Sequence, residues 1–145
     1  MLEINSLIER LRRDFAGLVF EEGEVFMFRP PCEIYYNVNY LGLPCDKIAL
    51  LTLHEAAHAV LKHKDYDYDI ELVRMEAEAW ERSKGLCKEY DVEWDEDFVQ
   101  DRLDSYRDWI HERSLCPVCG VAGWQDEEGF RYRCPMCERV FGAGQ

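Results

Sequence analysis

The chain has 145 residues, with 17 Lys and Arg against 30 Asp and Glu, a formal net charge of -13, and 48% hydrophobic and 13% aromatic residues. That apolar content excludes a disordered acidic tail, and the charge argues against a bare nucleic-acid binder, whose phosphate contacts need a basic face. The length fits one ordinary domain, or a smaller domain with an appendage.

The N-terminal segment MLEINSLIERLRRDF carries Leu7, Leu11, Phe15 and Leu18 at helical spacing and charges on the other face, which predicts a helix over 2–16. It lacks an apolar signal core and a small-residue cleavage site, so the expected location is cytoplasmic. VFEEGEVFMF and EIYYNVNY predict a small sheet of about three strands between Leu18 and Tyr40, broken at Glu22-Gly23 and Arg29-Pro30-Pro31. Asp46 is the expected N-cap of a helix from about Lys47 to His63 that is apolar nearly all round, and therefore central. Its apolar stretch, Ile48 to Leu61, is interrupted by His54, Glu55 and His58 and is too short to span a bilayer. A second helix is predicted from about Ile70 to Tyr90, capped by Asp67 or Asp69. A third runs from about Glu96 to Arg113, with a stripe of Val99, Leu103, Tyr106 and Ile110. Composition changes at Ser114, where a glycine-rich tail without helical periodicity begins.

Inside the central helix stands His54-Glu55-Ala56-Ala57-His58. At about 100° per residue the two histidines lie about 40° apart on one face, the geometry two imidazoles need to chelate one cation. Glu55 sits at the flank, within reach of a water on the metal and outside the ligand set. Zinc lowers the pKa of such a water from about 15.7 towards about 7, and a carboxylate beside it can move the proton to a leaving amine. Without a metal, two imidazoles and a carboxylate in an apolar helix would be costly to bury.

A tetrahedral site then needs a third protein ligand, and His63, Glu71, Glu76, Glu78 and His111 are the candidates. His63 projects about 140–180° from the histidine pair and suits a helix C-terminus instead. On the second helix, Glu76 falls within about 60° of Val73, Trp80 and Cys87, in the middle of the apolar face. Glu71 and Glu78 project oppositely, and Glu78 stands four residues from both Arg74 and Arg82 in an ion-pair ladder. Glu76 is the preferred ligand and Glu78 its main rival.

HEAAHAVLKH followed by Glu76-Ala77-Glu78-Ala79 resembles the ImmA/IrrE-type metallopeptidases, which pair HExxH with a helix carrying E-x-x-A. The resemblance covers about residues 1–112. It implies a zincin-like fold, zinc held by His54, His58 and Glu76, Glu55 as catalytic acid/base, and a repressor-type regulatory protein as substrate. Trp80 stands where members often have Asn or Asp, and Arg82-Ser83 where they often have Phe-Ala.

Seven cysteines need an explanation other than disulfides in a reducing compartment. Cys116-Pro-Val-Cys119-Gly120 and Cys134-Pro-Met-Cys137 supply one, as two CPxC knuckles. A hairpin of AGWQ, a turn at DEEG, and FRYR would join them into a tetrahedral thiolate zinc site. Iron in a rubredoxin-like site is the minor alternative. A ribbon of about thirty residues cannot fold without its metal. Its Arg131, Arg133 and Arg139 are balanced by Asp126, Glu127, Glu128 and Glu138, beside Trp124, Phe130 and Tyr132, which favours protein over phosphate. Cys32, Cys45 and Cys87 read as small buried apolar residues.

The expected architecture is α+β, with a zincin-like helical domain and small N-terminal sheet over 1–113 and a four-cysteine zinc ribbon over 114–145. The expected function is a zinc endopeptidase with one catalytic and one structural zinc and a protein or peptide substrate. No membrane or nucleic-acid partner is expected. A regulatory protein that keeps the fold without turnover is the second reading. A third is a DNA-associated protease of the SprT type, similar in layout but using a third histidine, for which His63 and His111 look misplaced.

Overall fold

The computed structural model describes residues 3–126 and 131–142; it is mixed α+β, with four helices and two small sheets. Among the described residues, no helix is long and apolar enough to cross a membrane. The chain divides into two compact units, residues 1–64 with 77–95, and residues 65–76 with 96–145. The segment 114–145, expected as a ribbon, falls in the second unit together with the third predicted helix.

In the first unit, helix α1 (Ile4–Asp14) buries Ile4, Leu7, Ile8 and Leu11 along one face. Strands β1 (Val19–Glu22), β2 (Met27–Arg29) and β3 (Glu33–Tyr36) form a sheet with β3 central, parallel to β1 and antiparallel to β2. Phe20 and Phe28 flank Ile34 across this register, giving one apolar row, with Phe20 and Ile34 buried. Helix α2 (Cys45–Val60) packs on β2 and β3 and buries residues on nearly all sides.

The ends of α2 differ from expectation. Its N-cap is Pro44, and Asp46 lies inside the first turn with its carboxylate accepting from the Lys47 amide at 3.0 Å. Proline's fixed φ, here -68°, prepares the start of a helix two residues early. At the other end the helix stops at Val60 rather than His63, because Lys62 takes a left-handed φ of 58°. The Lys62 amide donates to the Ala59 carbonyl at 3.1 Å and the His63 amide to the His58 carbonyl at 3.1 Å. This is the paired-bond stop that satisfies the last carbonyls of a helix.

Helix α3 (Asp69–Tyr90) passes through both units. In the first it buries Ala79, Trp80, Ser83, Leu86, Cys87 and Tyr90. Tyr90 donates its hydroxyl to Asp14 at 2.7 Å, joining this helix to α1. Lys47 bridges Asp46 at 3.1 Å and Asp95 at 2.8 Å. Of the three scattered cysteines only Cys87 is buried, which pushes its thiol up to about 11. Cys32 is half-buried and Cys45 exposed, since the first turn of α2 faces outward there.

The second unit holds the start of α3, helix α4 (Glu96–Ser114) and a sheet of β4 (Trp124–Gln125), β5 (Arg131–Arg133) and β6 (Val140–Gly142) in that order. Val99 and Leu103 are buried on α4. The β4–β5 hairpin pairs as expected, Trp124 with Arg133 and Gln125 with Tyr132. The remainder of its expected turn, with Glu127, Glu128 and Phe130, lies outside the described residues. Gly123 leaves no room for a side chain, since a Cβ there would sit 2.6 Å from the Arg133 carbonyl oxygen. The organiser of the unit is Asp69, whose buried carboxylate accepts from Arg113 Nε at 3.0 Å and from the Tyr132 hydroxyl at 2.7 Å. Asp69 is the first residue of α3, its carboxylate serving these two donors where a helix cap was expected, and its amide donates to the Gln125 side chain at 2.7 Å.

Asp69→Ala should cost about 2–4 kcal/mol in urea denaturation of the full chain, because it leaves a guanidinium and a phenol without their acceptor, whereas Tyr132→Phe should cost about 1 kcal/mol. Burial and then hydrogen bonds to Asp14 and Asp69 raise the Tyr90 and Tyr132 phenols above 10.0. The folded state holds these protons more tightly, so their contribution is whole below about pH 10 and is lost as pH rises further. The Tyr90→Phe, Tyr132→Phe double variant should show a shallower alkaline fall in stability than the native chain.

Candidate metal centres

A helix exposes one stripe every 3.6 residues, so two histidines four apart share a face wherever that stripe points. On α2 this face is inside the protein. His54 is 4% and His58 8% exposed, and their Nε2 atoms approach to 3.1 Å. The buried carboxylate of Glu76 joins them, and one donor atom from each of the three lies within 4.8 Å of the others. The division between the units falls within the continuous helix α3, between Glu76 and Ala77, so the helix itself carries Glu76 one step from residues of the first unit.

At Zn–N lengths of about 2.0–2.1 Å, two nitrogens on one tetrahedral ion stand about 3.3–3.4 Å apart. The imidazole pair is close to that bite before any ion is considered. Two neutral imidazoles and a carboxylate, all buried, are a donor set suited to zinc. Three protein ligands would leave one position of a tetrahedral ion for another group. Glu55 lies beside His54 on α2 and is only partly covered.

The surrounding side chains fix the rings. Trp80 stacks on His54 with centroids 3.9 Å apart and planes 23° apart. It lies one turn beyond Glu76 on α3, so a single helical face supplies both the carboxylate and the wall against His54. Trp80 is in turn edge-on to Trp94 at 6.3 Å. The Phe28 ring lies parallel to His58 at 6.5 Å. Glu78, the rival to Glu76, is on the exposed side of α3 and outside the cluster, as are Glu71 and His111. His63 is outside the donor cluster too, but its ring touches His58, with 2.8 Å between their Nδ1 atoms. The expectation that His63 points away assumed a helix continuing through it, and the left-handed Lys62 turns it back. His63 carried no spacing signal for this role, whereas the four-residue step from Glu76 already put Trp80 on the same helical face.

The second centre gathers Cys116, Cys119, Cys134 and Cys137, with one sulfur from each within 4.8 Å of the others. The Cys116 and Cys137 sulfurs are 3.8 Å apart, and Zn–S bonds of about 2.3 Å put tetrahedral thiolates about 3.8 Å apart. The two knuckles repeat one backbone pattern. Cys116 and Cys134 donate their amides to Val121 and Arg139, each at 2.9 Å. Gly120 and Glu138 donate theirs back to Cys116 and Cys134 at 2.9 and 3.0 Å. Both occupy the left-handed region, at φ 72° and 61°. Amides aim at sulfur, from Cys119 to Cys116 at 3.4 Å and from Met136 and Cys137 to Cys134 at 3.4 and 3.5 Å. The Cys119 amide, opposed by burial and aided by the Val118 amide, lowers the Cys116 thiol to about 7. The neighbouring Cys137 sulfur pushes the Cys119 thiol up to about 12. Four sulfurs this close repel as thiolates, so they ionise together only with a cation among them.

A scan against family models, a search of curated proteins and a search of solved structures each returned no match. Metal content should therefore be measured directly. The native chain should carry about two zinc ions, His54→Ala about one, and the combined His54→Ala, Cys116→Ser variant close to none, by elemental analysis after dialysis.

Proposed function

We propose that the chain is a zinc-dependent endopeptidase of the ImmA/IrrE type. The observation that carries this reading is the convergence of His54, His58 and buried Glu76 on one point, with Glu55 partly exposed beside it. His54, His58 and Glu76 would hold the ion, and the four cysteines a second, structural one.

Zinc at such a site supplies a Lewis acid that acidifies water and polarises a carbonyl. Glu55 takes the proton of the attacking water and hands it to the leaving amine, a role suited to a carboxylate outside the donor set. Trp80 and Phe28 keep the imidazoles in place and dry. Strand β2 is a sheet edge packed on α2, and its open edge can take an extended peptide by β-augmentation, which brings the peptide backbone beside His58. Exposed Met27 on this strand and Val25 just before it offer apolar contact to the peptide's side chains. The substrate class is a protein, and the family resemblance suggests a repressor-type regulator. The net charge of -13 disfavours a nucleic-acid substrate.

Glu55→Gln should keep both metal ions and lower peptide hydrolysis at least about 100-fold on a proteome-derived peptide library. Undiminished cleavage by that variant would remove Glu55 from the chemistry. A fully loaded native chain with no turnover on any peptide would instead indicate a binding protein that keeps the centre without using it.

A further inference from the structure

We infer that His63 and Glu78 form an outer support for the His54–His58–Glu76 centre, with His63 a positioning residue for His58. The inference rests on reading that cluster as a metal site.

The argument starts from the proton count on His58. Its Nε2 faces His54 Nε2 at 3.1 Å, on the side where the donors converge. An imidazole that gives the lone pair of Nε2 to a metal carries its proton on Nδ1. That Nδ1 is 2.8 Å from His63 Nδ1, so His58 donates and His63 accepts. His63 then carries its own proton on Nε2, which faces Glu78 Oε2 at 3.4 Å. Every hydrogen in the chain from carboxylate to metal thus has one direction. A metal-bound histidine held by a second group in this way is oriented and made more basic.

The backbone explains why His63 is there. In a helix stop with a left-handed residue, the residue after it comes to lie against the one five positions earlier. Lys62 is that left-handed residue, and the contact it closes is His63 on His58. A lysine rather than a glycine in this conformation is strained. The His63 side chain is 11% exposed while Glu78 is 48% exposed, so the inner link is sheltered and the outer one is in partial contact with water.

The test is zinc affinity by chelator competition on the full chain with its cysteine centre filled. His63→Ala should weaken the histidine centre about 10- to 100-fold, and His63→Gln, which keeps an acceptor towards His58, should recover most of that. Glu78→Gln, on an exposed position that leaves folding intact, should weaken it by about threefold. Cobalt titrated into the same centre should give a shifted visible spectrum in His63→Ala and a native one in Lys62→Gly, which keeps the left-handed turn. Unchanged affinity and an unchanged cobalt spectrum in His63→Ala, with the native chain binding two ions, would overturn the inference alone. A native chain that binds only the cysteine-held ion would overturn the underlying reading instead.

Discussion

Eleven of the sixteen residues of α2 are buried, and two of these are histidines. An imidazole taken from water into an apolar interior loses several hydrogen bonds and must regain them from its neighbours. Everything around the helix answers that demand. Glu76 arrives from α3, Trp80 covers the His54 ring, and His63 folds back onto His58. The sheet contributes Phe28 and, through Phe20 and Ile34, an apolar backing for the helix. A cation at the meeting point would balance the buried carboxylate and use the lone pairs that face one another across 3.1 Å.

The second unit solves a related problem with less material. Three strands of two or three residues bury little, so four clustered cysteines able to hold a metal and a few buried polar links stand in for a larger sheet core. Asp69 is the main such link. Its carboxylate gathers a guanidinium from the end of α4 and a phenol from β5, while its amide holds Gln125 of β4. One residue at the start of a helix thereby orders three other elements.

The features legible in the sequence were those set by periodicity. Spacing alone puts His54 and His58 on one face, Glu76 on a covered face of α3 and Glu78 on an open one, and the cysteines in two knuckles. The helix extents followed to within a few residues because long apolar stripes leave little choice. What stayed hidden depended on single backbone angles or on distant packing. Nothing local marks Lys62 as left-handed, since lysine has no preference for that region, and without it His63 points the wrong way. Asp46 looked like a cap because its chemistry suits one, but Pro44 had already begun the helix. Strand β6 was missed because Val140–Gly142 is too short to show alternation. Cys45 shares its residue type with buried Cys87, and only tertiary surroundings separate them.

The two cysteine knuckles are copies in backbone but not in composition. The left-handed corner is held by glycine in one and by glutamate in the other, at φ 72° and 61°. Glycine rests there freely, whereas glutamate is held at a cost of about 1–2 kcal/mol. The two halves are therefore unequal by composition: the earlier corner keeps its shape on its own, and the later one holds only as long as its surroundings oppose the strain.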